Sequence, residues 1–390
     1  MALDVRVVTD ESGLAALGPA WEALSTTGAG DCLFGSFVWN QLWWKHYRHL
    51  GQLRVLVAQD GGEVVGIWPL YLARRSFHDI EVDMIGPRRF VLPGKIFKLR
   101  VLAYLGSGEI CSDFLAPVVR PGQEEPVIDA LVGYLAAHRD WHLLDLADLD
   151  DAAPTFAPLQ RALTARFGAP RQRFRYGAPY APLAASYDDY LDSLSKKSRY
   201  NARKKLRQIE LNHRVEHAFH TDPASLDAAM DEFMEQHRAR WAEEGLPGVF
   251  VNEHFVGFHR DIARVALDRG WLRLGFLRID GEVRFVTYAF QIGDQTYLYQ
   301  QGGQSNWHHY NLGYVALGFS VADACERGSR VYDFLRGEAE YKLHWAKMHR
   351  ELVQLQTVRG LRGRWFLWHS TINTDDEVRR RLKRLVGKGS

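Results

Sequence analysis

The run WLRLGFLRIDGEVRFVTYAFQIGDQTYLYQQ, residues 271–301, decides the fold class. Leu272-Arg273 opens an apolar stretch, Asp280-Gly281 interrupts it, and Phe285 to Phe290 resumes it. Asp-Gly between two β-rich runs is a strong hairpin signal, because the favoured two-residue turn needs positive φ at both central positions. The device returns at Gly293-Asp294, so the run reads as a three-stranded antiparallel meander ending in Gln295–Gln301. Beyond a polar loop, Leu312, Val315, Ala316, Phe319 and Ala322 recur at helical spacing. That helix ends near Gly328, and Arg330 to Leu335 reads as a further strand.

The first half of the chain repeats this order weakly. Leu53-Arg54 opens an apolar run, Gly61 to Val64 is the turn, and Ile67 to Leu72 is apolar again. Val127, Ile128, Leu131, Tyr134 and Leu135 then mark a helix over 124–138, and Leu143 to Leu146 a strand. Meander, helix, strand in both halves predicts a duplicated α/β unit with mixed sheets. A Pro- and Ala-rich stretch, 150–182, separates the halves, although 155–167 within it reads as a helix. The expected domains are therefore 1–182 and 183–390. The basic, amphipathic tail at 375–388 reads as a terminal helix.

Composition narrows the function. At 390 residues the chain is long enough for two or three domains, and 46% hydrophobic content with 25% charge is that of a globular protein. A formal net charge of +2 supplies no global field to draw DNA or an acidic membrane. Cys32, Cys111 and Cys325 are far apart and odd in number, which argues against a disulfide framework or a zinc site and for a reducing compartment. No apolar signal core and no apolar run of about 18 residues is visible, so a cytoplasmic protein without a membrane span is expected. His308, His309, His344 and His349 lack partner ligands, so no metal is expected. Phosphate-binding Gly loops and a G-x-S-x-G elbow are missing too.

Three segments carry candidate chemistry. In Ser195 to Arg207 seven cations occur before the first acid at Glu210; Lys196, Arg199, Arg203 and Arg207 share one helical face, suited to an anionic ligand. Asn311-Leu312-Gly313-Tyr314 opens a helix directly after the meander, where unpaired amides and the dipole suit a pyrophosphate or a carbonyl oxygen; Asn311 is the expected N-cap. In the run from Tyr332 to Trp345, Lys342 and Arg336 suit an oxyanion or phosphate, and Tyr341 suits a general acid. A structural alternative stands beside this: Asp333 capping a turn, Tyr341 and Trp345 packing, Lys342 reaching solvent.

Taken in this order, the basic run at 195–206, the meander and the Tyr-Asp-Phe-Leu-Arg-Gly-Glu…Tyr-Lys…Trp run at 332–345 resemble the CelD-like branch of the GNAT acetyltransferases. That branch is similar to the FemABX peptidyltransferases, which also carry two GNAT-like units. The resemblance implies two tandem GNAT-like units, with acyl-coenzyme A placed at a splayed strand and its pyrophosphate at the next helix start, here His309, Tyr310, Asn311, Leu312, Gly313 and Tyr314. The Q/R-x-x-G-x-G/A loop of the family is missing. The resemblance implies that Lys342 stabilises the tetrahedral intermediate and that Arg199 and Arg203 hold the acceptor's diphosphate; from the residues themselves, Tyr341 and Asp333 are further catalytic candidates, and Lys196, Arg336 and Trp345 further acceptor contacts. Acetyl-CoA or another acyl-CoA is expected as a co-substrate, with no permanently bound cofactor. The expected acceptor is a small or saccharide-linked amine or hydroxyl compound, as in envelope or exopolysaccharide synthesis. Aminoacyl-tRNA is the lesser alternative donor, and a non-catalytic binding or regulatory protein is the third reading.

Overall fold

The structure, a computed structural model, describes residues 3–25, 32–77, 80, 98–243, 245–303, 307 and 310–374. Two compact units form, and neither is contiguous in sequence. Unit one comprises Met1–Gly30, Tyr47–Phe174 and Val353–Ser390; unit two comprises Asp31–His46 and Arg175–Leu352. A single boundary at 182/183 therefore does not describe the chain. Burial of aromatic surface is the reason. Trp39 packs edge-on against Phe258, Tyr299 and Phe290 at 4.8, 5.7 and 6.1 Å, which draws residues 31–46 into unit two. Phe366, fully buried with Phe77, Leu99, Val101 and Leu143, draws the helix Gly360–Thr374 into unit one.

Unit one contains the strands β1 (Asp4–Val8), β2 (Gly51–Leu53), β3 (Val55–Asp60), β4 (Glu63–Trp68), β5 (Leu70–Ser76), β6 (Lys98–Tyr104), β7 (Val118–Val119) and β8 (Leu143–Asp150). The expected hairpin forms at Gly61-Gly62, both at positive φ (56° and 91°). It bends at Arg54 and Pro69. Its tip joins the sheet β1-β3-β4-β7, while β2 and β5 run in the order β8-β6-β5-β2. A proline has no amide for a ladder, so Pro69 is a natural place to change sheets. The helix Glu124–Ala137 buries Val127, Ile128, Leu131 and Leu135 and lies in the crossover between the parallel strands β6 and β8.

Unit two holds most of β9 (Arg171–Pro182), then β10 (Val215–Phe219), β11 (Leu272–Ile279), β12 (Glu282–Ile292), β13 (Gln295–Gly303) and β14 (Val331–Asp333), in the order β10-β11-β12-β13-β14-β9. β15 (Met348–Val358) returns the chain to unit one. The meander is as expected, with Asp280 and Gly281 at φ 53° and 87°. The helix Leu312–Glu326 connects the parallel strands β13 and β14, matching the crossover of unit one.

The register supports a repeated unit in finer detail than the sequence does. In unit one Asp60 pairs Glu63, Gln59 pairs Val64 and Ala58 pairs Gly66, leaving Val65 as an extra residue. In unit two Ile279 pairs Glu282, Arg278 pairs Val283 and Leu277 pairs Phe285, leaving Arg284. The same bulge stands at the same distance from the same type of turn.

Candidate active site

The site is built where β13 outruns its neighbour. β13 pairs with β14 only at Gln295↔Val331, Thr296↔Tyr332 and Tyr297↔Asp333, after which β14 ends and β13 continues to Gly303. On its other side β13 stays paired with β12, but Tyr299 is an extra residue between the pairs Leu298↔Ala289 and Gln300↔Tyr288. Such a bulge twists a strand and re-aims its polar groups. The helix Leu226–Glu243 packs directly on the freed end: a Cβ on Gly302 would stand 2.7 Å from both the N and Cα of His237. Only glycine permits that approach.

Beside this end lies a cavity of about 620 Å³. Gln301 and Gly303 of β13, Phe285 of β12 and the helix opening Asn311–Tyr314 line one part of it. Asn201 and Lys205 of the helix Lys196–Glu210, Arg240, Trp307, and Glu340, Tyr341 and His344 of the helix Glu340–Trp345 line the rest. Amides at a helix start have no intrahelical acceptor, and the dipole adds positive potential there.

Electrostatics favour an anionic, hydrogen-bonding ligand. Lys205 and Arg240 both face the cavity, and neither makes an ion pair among the described residues. Burial, and then the neighbouring Lys204, lower the pKa of Lys205. Gln301 is 7% exposed, and its Oε1 has no hydrogen-bond partner. A buried acceptor left unsatisfied costs free energy that a bound donor would recover. Burial raises the hydroxyls of Tyr314 and Tyr341 to about 12 each, so both are protonated at neutral pH; that of Tyr314 already donates to the Ser198 carbonyl at 3.0 Å. Arg240 acts against this at Tyr341, and burial outweighs it.

Several residues expected at the site do line this cavity: Asn311, Leu312, Gly313, Tyr314 and Tyr341. His309 lies outside the described residues. Tyr310 packs instead on Trp307 and His213, at 5.5 and 5.6 Å. Asn311 adopts the left-handed region (φ 54°), and its side chain makes no cap bond; its backbone carbonyl accepts from the amides of Tyr314 and Val315.

Other residues have different surroundings. Lys342 is 9% exposed and does not line the cavity; its Nζ donates to the carbonyls of Arg336 (2.7 Å) and Leu335 (3.3 Å). It therefore braces the turn after β14 rather than reaching solvent. Asp333 is fully buried, accepts the Leu335 amide at 2.8 Å and pairs with Arg350, so its contacts are those of a turn anchor. The guanidinium of Arg336 lies over Tyr176, 5.1 Å from the ring centre. Trp345, expected at the acceptor, is fully buried, stacked on Tyr190, and receives the Tyr190 hydroxyl at its carbonyl; it is a core residue.

The basic run does form a helix, Lys196–Glu210, capped by Ser195, which accepts the Ser198 amide. Its counter-charge is local, contrary to the sequence expectation. Arg199 pairs with Asp192 at 2.9 Å and Arg203 with Asp188 at 3.3 Å, both acids lying on the helix Tyr187–Asp192. Lys196, Arg199 and Arg203 line a separate surface depression together with Tyr200 and Arg207. The cavity instead takes Asn201 and Lys205, on the side where Ala202, Leu206 and Ile209 meet the core. That apolar spacing was the available signal for Lys205. Gln301 could have been noticed as an amide at the end of an apolar strand. Nothing local in the sequence marks Arg240.

Among the described residues no group of His, Cys, Asp and Glu could hold a metal ion, and no helix is long and apolar enough to cross a membrane. Residues 196–343 match the family model described as acetyltransferase (GNAT) domain. None of the curated proteins matches the sequence. Among solved structures, FemX is similar with a TM-score of 0.60 at 11% identity, over 94% of this chain and 100% of that one. A conserved protein of unknown function from Bacteroides thetaiotaomicron is similar with a TM-score of 0.57 at 12% identity, over 91% of this chain and 100% of its own. At such identities the likeness is one of fold, and it extends across both units.

Proposed function

With residues 196–343 matching the GNAT acetyltransferase family, we propose that this chain moves an acyl group from acyl-CoA to an amine or hydroxyl acceptor in the unit-two cavity. One observation carries the reading: β13 runs past β14 into a cavity of about 620 Å³ at the mouth of the helix Leu312–Glu326. Backbone groups of β13 beyond Tyr297 can pair there with an amide-bearing thioester arm, as a missing strand would. The helix opening, Lys205 and Arg240 suit the donor's phosphates. Gln301 Oε1 suits an amide N–H.

The acceptor attacks the thioester carbon, whose oxygen gathers charge against fixed N–H donors of the bulged strand and the helix mouth. As the C–S bond breaks, Tyr341 gives its proton to the leaving sulfur and is restored from solvent. Lys342 acts through position, holding the 335–336 turn that leads into the Tyr341 helix. Most of the rate then comes from holding two substrates in line, without a covalent enzyme intermediate. A saccharide or envelope precursor is the acceptor class we favour, in line with the CelD-like resemblance.

The test is calorimetric titration with acetyl-CoA, followed by CoA release in the presence of primary amines and saccharides. Saturable binding, weakened by Lys205→Ala, is expected. Absence of binding to acetyl-CoA and longer acyl-CoAs would reject this reading in favour of a non-catalytic binding protein. Lys196 and Arg207, which make no ion pair among the described residues, beside exposed Tyr200 are the observation that favours aminoacyl-tRNA as a second donor, although Arg199 and Arg203 between them are held by Asp192 and Asp188. That alternative requires tight tRNA binding that falls steeply with salt.

A further inference from the structure

We propose that His344 is the general base of this site and forms, with Tyr341, an acid–base pair carried on one turn of helix; the inference rests on the acyl-transfer reading above. Both residues lie on the helix Glu340–Trp345, three positions apart, and both line the cavity. Residues at that spacing are neighbours on a helix surface. Leu343, between them, is half exposed, and Trp345 points into the core.

The backbone selects the tautomer. His344 Nδ1 lies 2.7 Å from the carbonyl oxygen of Glu340, an acceptor with no proton of its own. A 2.7 Å contact between these atoms is a hydrogen bond only when Nδ1 carries the hydrogen. Nε2 of the neutral ring is then the nitrogen with the lone pair. A ring held through one nitrogen with the other left basic is the usual arrangement of a catalytic imidazole. The edge of Tyr314 fixes the ring from a second side, with centroids 6.0 Å apart. The charged and titratable groups sharing this cavity are Lys205, Arg240, Tyr314, Glu340 and Tyr341, drawn from four helices. None of them is placed as His344 is, with one polar atom anchored and the other unclaimed.

The step balances. The acceptor's N–H or O–H proton passes to Nε2 while its lone pair forms the new bond to the acyl carbon. The C–S bond breaks, and the thiolate takes the Tyr341 proton. The imidazolium returns its proton to solvent, and the phenolate takes one up.

His344→Asn is the discriminating variant, because the asparagine amide reproduces the Nδ1 donor to Glu340 but supplies no base. With acetyl-CoA as donor and the best acceptor from a panel of primary amines and saccharides, turnover should fall about 10²-fold or more. Melting temperature and acetyl-CoA affinity should match the wild type. The wild-type rate should fall on the acid side of its pH profile, and this limb should vanish in the variant. Imidazole should partly restore His344→Ala. Independently of activity, nitrogen NMR of labelled histidine should find the Nδ1–H tautomer. A rate within about threefold of wild type with the acid limb intact, or the Nε2–H tautomer, overturns the assignment while leaving acyl transfer standing. Wild type that binds no acyl-CoA overturns both.

Discussion

Lowering the pH from 7 toward 4.5 should destabilise unit two steeply, because unfolding lets three imidazoles that the fold keeps neutral take up protons. His259 is fully buried among Phe250, Phe255, Phe258, Tyr288 and Tyr299, and its Nε2 has no hydrogen-bond partner. His237, 1% exposed, accepts the Trp241 indole N–H at 3.0 Å, and His217 stacks on Phe319 at 4.8 Å. Burial is the main cause in each case, lowering the pKa from 6.5 to about 3 for His259 and about 4 for His237 and His217. Below 6.5 the unfolded chain takes up protons that the folded chain refuses, so stability falls as the pH falls. Each ring contributes a slope of about 1.4 kcal/mol per pH unit, and three together about 4 kcal/mol per unit between pH 6 and 4.5. Over that window the loss comes to about 6 kcal/mol, enough to unfold a unit at the low end of the roughly 5–15 kcal/mol typical of net stabilities. Asp280, held low first by the Arg214 amide, and Asp222, held low first by the Ser225 hydroxyl, lose their contribution only as the pH passes below 3.8, outside this window. Urea unfolding at half-unit steps measures the slope, and His259→Phe should reduce it by about 1.4 kcal/mol per pH unit. Equal slopes in the two proteins, or a flat wild-type curve from pH 6.5 to 4.5, would refute the argument.

Three further outcomes are expected. Gly302→Ala drives a methyl group into the backbone at His237, and should cost about 1–3 kcal/mol, read as a lower melting temperature. Asp333→Ala removes the fully buried carboxylate that holds Arg350 and the Leu335 amide; with Arg350 22% exposed and still seated over the Tyr180 ring, the loss should be about 3 kcal/mol, the lower end for a broken buried pair, measured by urea unfolding. Replacing both Lys205 and Arg240 by Ala should weaken acetyl-CoA binding about tenfold or more while leaving kcat within a few-fold, since losing contacts made equally in the ground and transition states raises KM without changing the chemical step.

The hairpins and crossovers were legible because their causes are local. Asp280-Gly281 dictates its turn wherever it stands, and Val127, Ile128, Leu131 and Leu135 declare a helix face by spacing alone. The allocation of segments to units was not legible, since nothing near Trp39 says that its partners are Phe258 and Tyr299. Of the residues the sequence singled out, Tyr341 and the helix opening line the cavity while Lys342 turns to the carbonyls of Leu335 and Arg336, because adjacent positions on a helix point about a quarter-turn apart or more. On the helix Lys196–Glu210 the density of charge drew attention to Arg199 and Arg203. The face that matters to the cavity is the one carrying Ala202, Leu206 and Ile209, with Asn201 and Lys205 at its margin.

The interleaving of the two units inverts their order of completion during synthesis. Every residue of unit two has been made once the ribosome reaches Leu352, whereas unit one, though begun first, still lacks Phe366. The half that starts the chain must wait with a gap in its interior until the helix Gly360–Thr374 emerges, while the half bearing the cavity can close as soon as Leu352 is clear of the ribosome. Domains that fold as they are made usually finish in the order they begin; here truncation near residue 352 would spare the later unit and leave the earlier one unsealed.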